Sequence, residues 1–305
     1  MKKIILAFFV FFVFFVKGQD TLMPIIFLDD IIISEENNGF SVNDFINYVK
    51  NDTTFYMGFK HLRFYTHNYK SELNIFNKKG KNIASIKKFG LYQSNGNQAW
   101  LLNDSIIHSG KIYKRNGKYR YYTPEAFDEV FFPKDTIEVS LKISDEKNQD
   151  DSQNMRDAKT VGFSIGTDDV EQSNGGISKK LAIFDIDMQQ YYNYLIGETL
   201  YRNKDCYTFT IKVKEELSSK DKKKALIRKI VSYFDKENFN VIYREYKFVY
   251  KNWFIDLDMD IIVNMDYFKD KHIPTDIRYK GFWNVIFIKP ERAEFNLWNT
   301  NYIVN

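Results

Sequence analysis

One cysteine in 305 residues closes no intramolecular disulfide, so the fold must rest on its buried core. A nucleophilic Cys206 would need a base beside it, and its segment supplies none. Cys206-Tyr-Thr-Phe-Thr-Ile-Lys-Val213 reads as a strand with Tyr207, Phe209, Ile211 and Val213 on one face, which makes Cys206 a packed or half-exposed structural thiol. Histidine is scarce too, with four in the chain. The spacing of His61 and His67 fits neither one helical face nor a zinc-ligand motif, so no metal site is expected. Walker, Rossmann, nucleophile-elbow and HExxH patterns are all missing, so no catalytic residue and no cofactor is assigned. A charge excess of one sign is lacking as well. The formal charge is +4, and it falls to +1 once Lys2, Lys3 and Lys17 are removed with a leader. That leaves no electrostatic footprint for nucleic acid. The dense basic run Lys220–Lys224 contains Asp221 and follows two serines, and reads as a solvated loop.

What is present begins with an export signal. Met1-Lys2-Lys3 is a positive n-region and Ile4–Val16 an unbroken apolar run that stops at Lys17. A bilayer span needs about 20 apolar residues, so this run is short for a transmembrane helix. Val16 and Gly18 satisfy the small-residue rule, which places cleavage after Gly18. Residues 1–18 are thus expected to be a signal peptide and 19–305 a single β-rich domain. The protein is expected in the periplasm, the cell envelope or the extracellular space, with peripheral membrane association at most.

Aromatic residues are abundant at 17% and supply much of a core large enough to do without disulfides. Ile25–Ser34 suits an initial strand or two short ones. Ser41 caps a helix whose Val42, Phe45, Ile46 and Val49 form a buried stripe, and Phe55, Phe59 and Leu62 continue the spacing in a second helix to about Phe64. Strands follow at Glu72–Phe76 and Asn82–Phe89 around Asn77-Lys-Lys-Gly80. A hairpin is read at Lys111–Lys114 and Lys118–Tyr122, where Asn116-Gly117 suits a type I′ turn. Thr123-Pro124 opens a short helix through Ala126, Phe127 and Val130. Residues 144–180, rich in Asp, Asn, Gln, Ser and Gly, read as a flexible polar insertion.

The C-terminal half carries strand patterns at 194–201, 206–213, 226–234, 241–250, 254–267, 273–282, 285–288 and 292–297. Polar reversals such as Asn203-Lys-Asp205 separate them. Short links force antiparallel neighbours. The expected fold is therefore mainly β (α+β): a large curved antiparallel sheet or half-barrel with a few short helices.

Phe254-Ile-Asp-Leu-Asp-Met-Asp-Ile261 alternates cleanly, with Ile255, Leu257, Met259 and Ile261 on one face and Asp256, Asp258 and Asp260 on the other. Carboxylates two apart on a strand lie about 7 Å from each other, too far for one calcium, so the Asp ladder reads as a solvated face beside lysines. Arg244, Tyr246, Phe248 and Tyr250 share one face of the preceding strand.

The late segments Ile196-Gly-Glu-Thr-Leu-Tyr-Arg-Asn-Lys-Asp-Cys-Tyr-Thr-Phe, Val231-Ser-Tyr-Phe-Asp-Lys and Pro274-Thr-Asp-Ile-Arg-Tyr lie in a layout of leader, early helix and long meander. Over roughly the last third of the chain this resembles the periplasmic lipoprotein-carrier family. The resemblance implies a half-barrel that holds acyl chains against a helical lid, with Arg244, Tyr246, Phe248, Leu257 and Met259 as ligand-binding positions; the same residues read equally as core. Three functions follow: an envelope protein binding lipid, lipoprotein or another apolar ligand; a structural or interaction component with an envelope protein as partner; and, last, a hydrolase built from Asp185, Asp256 or His272.

Overall fold

The computed structural model of the chain describes residues 26–27, 49, 52–141, 183–251, 253, 255–285 and 289–303. The expected leader and the 144–180 insertion lie outside the described residues. So does the helix expected from Ser41, except Val49, which is helical.

Twelve strands form one antiparallel sheet: β1 Ile26–Phe27, β2 Thr66–Phe76, β3 Asn82–Ser94, β4 Gln98–Gly110, β5 Ile137–Glu138, β6 Tyr192–Tyr201, β7 Lys204–Val213, β8 Ile227–Asp235, β9 Val241–Lys251, β10 Ile255–Phe268, β11 Lys271–Val285 and β12 Glu291–Ile303. Their spatial order is β1-β6-β7-β8-β9-β10-β11-β12-β2-β3-β4-β5, so among the described residues the sheet is open. The described helices are α1 Thr54–Leu62, α2 Tyr122–Phe131, α3 Ile186–Gln189 and α4 Ser219–Lys222. The fold is thus the expected one: mainly β, a large curved antiparallel sheet with a few short helices. None of these helices is long and apolar enough to cross a membrane.

Local chemistry sets the hairpins. Between β2 and β3, Gly80 adopts φ 76° and the Asn77 side-chain oxygen accepts the N–H groups of Lys79 and Lys81 at 2.9 and 3.0 Å. Only Gly pays no Cβ penalty at that φ. The turn at Asn116-Gly117 differs from the type I′ expected, because only Gly117 has positive φ. Its flanks make a single bridge, Tyr113 to Tyr119, in place of two strands. The two consecutive positive φ values occur instead at Arg202 and Asn203, in the β6–β7 hairpin.

Three further expectations are corrected. β4 was not anticipated at all. β11 runs unbroken through Phe282, which pairs with Asp258 on one side and Arg292 on the other, so the break read there does not exist. Thr123 does not cap α2. The Glu291 carboxylate, from β12, accepts the N–H groups of Tyr122 at 2.7 Å and Thr123 at 3.3 Å. A tertiary carboxylate thus satisfies the orphan donors of the first turn and favours the positive end of the helix.

Across the sheet, side chains in register share a face. One row runs Phe209, Ser232, Arg244, Val263, Ile277, Leu297, Ser71 and Lys88; the next runs Ile211, Ile230, Tyr246, Ile261, Tyr279, Phe295, Leu73 and Ile86. The helices α1 and α2 lie on this inner face. Phe55 of α1 meets Tyr246 edge-on with ring centres 6.5 Å apart, and Phe127 of α2 lies 4.4 Å from Phe295. Burying a ring such as Phe55 contributes roughly 2 kcal/mol. On the opposite face the β6–β7 tip folds over the sheet: Tyr201 packs on Tyr233 and Tyr243, and its hydroxyl donates to Asn264 Oδ1 at 2.5 Å. The Tyr201 hydroxyl thus reaches from β6 to β10, four places along the sheet.

Candidate functional site

The alternation read in β10 becomes two chemically distinct surfaces. Leu257 stands opposite Tyr250, Met259 opposite Phe248, Ile261 opposite Tyr246 and Val263 opposite Arg244, so all five positions implied by the resemblance lie on the inner face. The aspartates lie on the other face among lysines: Lys247 pairs with Asp258 at 3.4 Å and Asp260 at 3.0 Å, and Lys251 with Asp256 at 2.5 Å.

Within the inner face the five divide. Tyr246, Phe248 and Met259 are buried and packed, and Leu257 is half-buried at the margin of the same core. Arg244 and Tyr246 also line a cleft over β7–β9, walled by Asp52 from the segment before α1, by Ser232 and by Ile183 and Phe184. Its free interior is about 20 Å³, room for one water and no more. Phe55 fills the space above Tyr246, so the apolar floor is roofed by α1.

Polar groups in the cleft converge on Arg244. Its Nε donates to Ser232 Oγ at 3.0 Å, Nη2 lies 3.9 Å from Asp52 Oδ2, and the guanidinium stacks over the Phe55 ring. Asp52 Oδ1 accepts from the Thr54 N–H at 2.9 Å and from its hydroxyl at 2.5 Å, whereas Oδ2 is buried and accepts no hydrogen bond. A buried carboxylate oxygen in that state carries a desolvation cost that a ligand donor or a water would relieve. Asp52 and Ser232 were not singled out in the sequence. The one local signal was Asp52-Thr53-Thr54, a capping pattern at a helix start.

The carboxylates and histidine considered for hydrolysis do not converge. Asp256 pairs with Asn284 at one end of the β10–β11 hairpin, His272 pairs with Tyr267 at the other, and Asp185 precedes α3. Burial holds His272 down at about 4 from an ordinary 6.5, opposed by backbone groups of Thr54 and Val241. Cys206 is fully buried, its Sγ donates to the Lys204 carbonyl at 3.2 Å, and burial raises its pKa, as befits a packed thiol.

No family model and no curated protein matches the chain. Solved structures similar to it include the following two. One is a DUF1329 family protein from Desulfovibrio piger, 11% identical, covering 79% of this chain and 85% of that one with a TM-score of 0.24. The other is an outer membrane lipoprotein-sorting protein domain from Vibrio parahaemolyticus, 10% identical, covering 80% and 88% with a TM-score of 0.25. The second belongs to the class whose layout the sequence resembles. At these scores neither fold nor function passes from either protein to this chain.

Proposed function

We propose that this is an exported, non-enzymatic envelope protein that holds an apolar ligand of the acyl-chain type on the inner face of its sheet, beneath α1. The observation that carries the reading is the continuous apolar floor of Ile211, Ile230, Tyr246, Phe248, Met259 and Ile261, interrupted only by the Arg244–Ser232–Asp52 cluster at its edge. An apolar concavity with a few convergent polar groups is the usual form of a small-molecule site. Because Phe55 and its neighbours fill this face, the described form is closed. A ligand enters by displacing Phe55 from Tyr246 and from the guanidinium of Arg244, which, still held by Ser232, meets an acidic or ester headgroup. The apolar leader at Ile4–Val16 supports export, and the domain reading of 19–305 as one unit accords with a sheet in which β12 pairs with β2.

The test is native mass spectrometry with lipid extraction on the full chain purified from its own envelope fraction, beside a Phe55→Ala variant. A stoichiometric acyl-chain molecule, with greater occupancy or faster uptake of a fluorescent fatty acid in Phe55→Ala, supports the reading. A clean apo mass together with no uptake by either protein sinks it. A second reading, an envelope interaction component, is favoured by one observation: among the described residues, no strand pairs with the outer edge of β4 beyond Gln98 and Ala99.

A further inference from the structure

Between Trp100 and Gly110, β4 pairs with β3 on one side and, among the described residues, with no strand on the other; β5 reaches only Gln98 and Ala99. Every residue from Leu102 to Gly110 is exposed. Ile106, on the inner face in register with Lys88, and Ile107, on the opposite face in register with Lys87, are 47% and 59% exposed. Protein sheets commonly blunt such edges with lysine or proline, and β4 has neither; its only carboxylate side chain is Asp104. A row of free N–H and C=O groups flanked by exposed isoleucines selects an extended strand as its occupant.

The sequence of β4 indicates which strand. An antiparallel copy placed on a two-fold axis through Ile106 sets Ile106 against Ile106, Ser105 against Ile107 and Asp104 against His108. Each Asp104 carboxylate then faces the imidazole of the other copy, and the contact occurs twice, as an isologous interface requires. Orientation allows it. His108 is in register with Ile86 on the inner face, and Asp104 is the extra residue of the bulge between the Phe89–Ser105 and Gly90–Asn103 pairs. Its neighbour Asn103 stands on the inner face, where its Oδ1 accepts from the Tyr69 hydroxyl at 2.5 Å. The Asp104–His108 pair is complementary in hydrogen bonding, and hydrogen-bonded cross-strand pairs stabilise an antiparallel register.

We propose that two copies of this chain join edge to edge through β4 about a two-fold axis at Ile106, continuing one antiparallel sheet across the dimer. The inference is independent of the ligand reading. The Cα separation of directly opposed residues, about 4.5 to 5.5 Å, falls within disulfide range, so a cysteine on the axis bonds to its own copy. The full chain carrying Ile106→Cys is oxidised and compared with Asp104→Cys and His108→Cys, circular dichroism confirming that each is folded; Cys206 is buried and adds no background. The expected result is a covalent dimer in Ile106→Cys at least tenfold faster than in either other variant. In sedimentation experiments the unmodified chain dimerises with concentration, Asp104→Lys weakens the dimer about tenfold, and the exchange Asp104→His with His108→Asp restores it. A monomer across the micromolar range overturns the proposal. So does a dimer that cross-links through positions 104 and 108 but not 106, or an edge covered only by a different protein.

Discussion

The guanidinium carbon of Arg244 lies 4.3 Å from the centre of the Phe55 ring, while the same side chain faces Asp52 at 3.9 Å. One β9 side chain therefore ties down both the first turn of α1 and the segment leading into it. The Arg244 and Asp52 side chains are 12% and 1% exposed, so the pair is desolvated and its loss is asymmetric. Removing one charge strands the other.

Arg244→Leu is expected to cost about 3 kcal/mol, because Asp52 is left buried without a counter-charge. Asp52→Asn keeps an acceptor for Thr54 and costs less, and the double variant costs less than the sum of the two. Urea midpoints at unchanged slope measure this. Strict additivity would show that the two side chains do not interact.

Acid should destabilise the fold through two buried imidazoles. Burial, opposed by the Tyr65 carbonyl, holds His67 down at about 4, and His272 is lowered to the same value. In the unfolded chain both take up a proton near 6.5, so stability is intact above pH 6.5 and is lost as pH falls toward 4, by about 3 kcal/mol at each site. His67 stacks on Tyr92 with ring centres 4.9 Å apart. His67→Phe keeps that stack, and the drop in denaturation midpoint between pH 7 and 4.5 should shrink by about half. An unchanged drop would locate the acid sensitivity elsewhere.

Glu291→Ala should loosen α2 at its start alone. It frees the Tyr122 and Thr123 donors at a cost of about 1 kcal/mol, in the range of a lost helix cap. Hydrogen exchange at Tyr122 and Thr123 should accelerate while β12 stays protected, and Glu291→Gln should recover most of the protection. Equal acceleration along β12 would mean that Glu291 supports the strand and not the helix.

Gly281→Ala should cost about 1 to 3 kcal/mol, the usual range for overpacking. A Cβ there would overlap the ring of Tyr279, which is buried and receives a hydrogen bond from Trp283 Nε1. Thermal unfolding checks the loss, and Tyr279→Leu in the same chain should remove most of the clash.

The strands of the C-terminal half were legible because their alternation has period two and their links are short. In β10 that period alone separated the inner Leu257 and Met259 from the outer aspartates. β4 escaped notice because Leu101-Leu102 and Ile106-Ile107 are apolar doublets, and the bulge at Asp104 puts its two halves out of phase; an edge strand exposed on both faces has no single buried face to betray it. The inner side of β9 was also unreadable, since Tyr243 and Arg244 are both amphipathic and only register decides between them.

The sequence by itself determined the β-rich class, the antiparallel meander and the solvated Asp face, all of which depend on composition or on residues a few positions apart. Tertiary structure decided the pairing of β12 with β2, the capping of α2 by Glu291, and the meeting of Asp52, Phe55 and Arg244. Those contacts join residues far apart in the chain, and their partners are fixed by packing and sheet register, which no local spacing encodes.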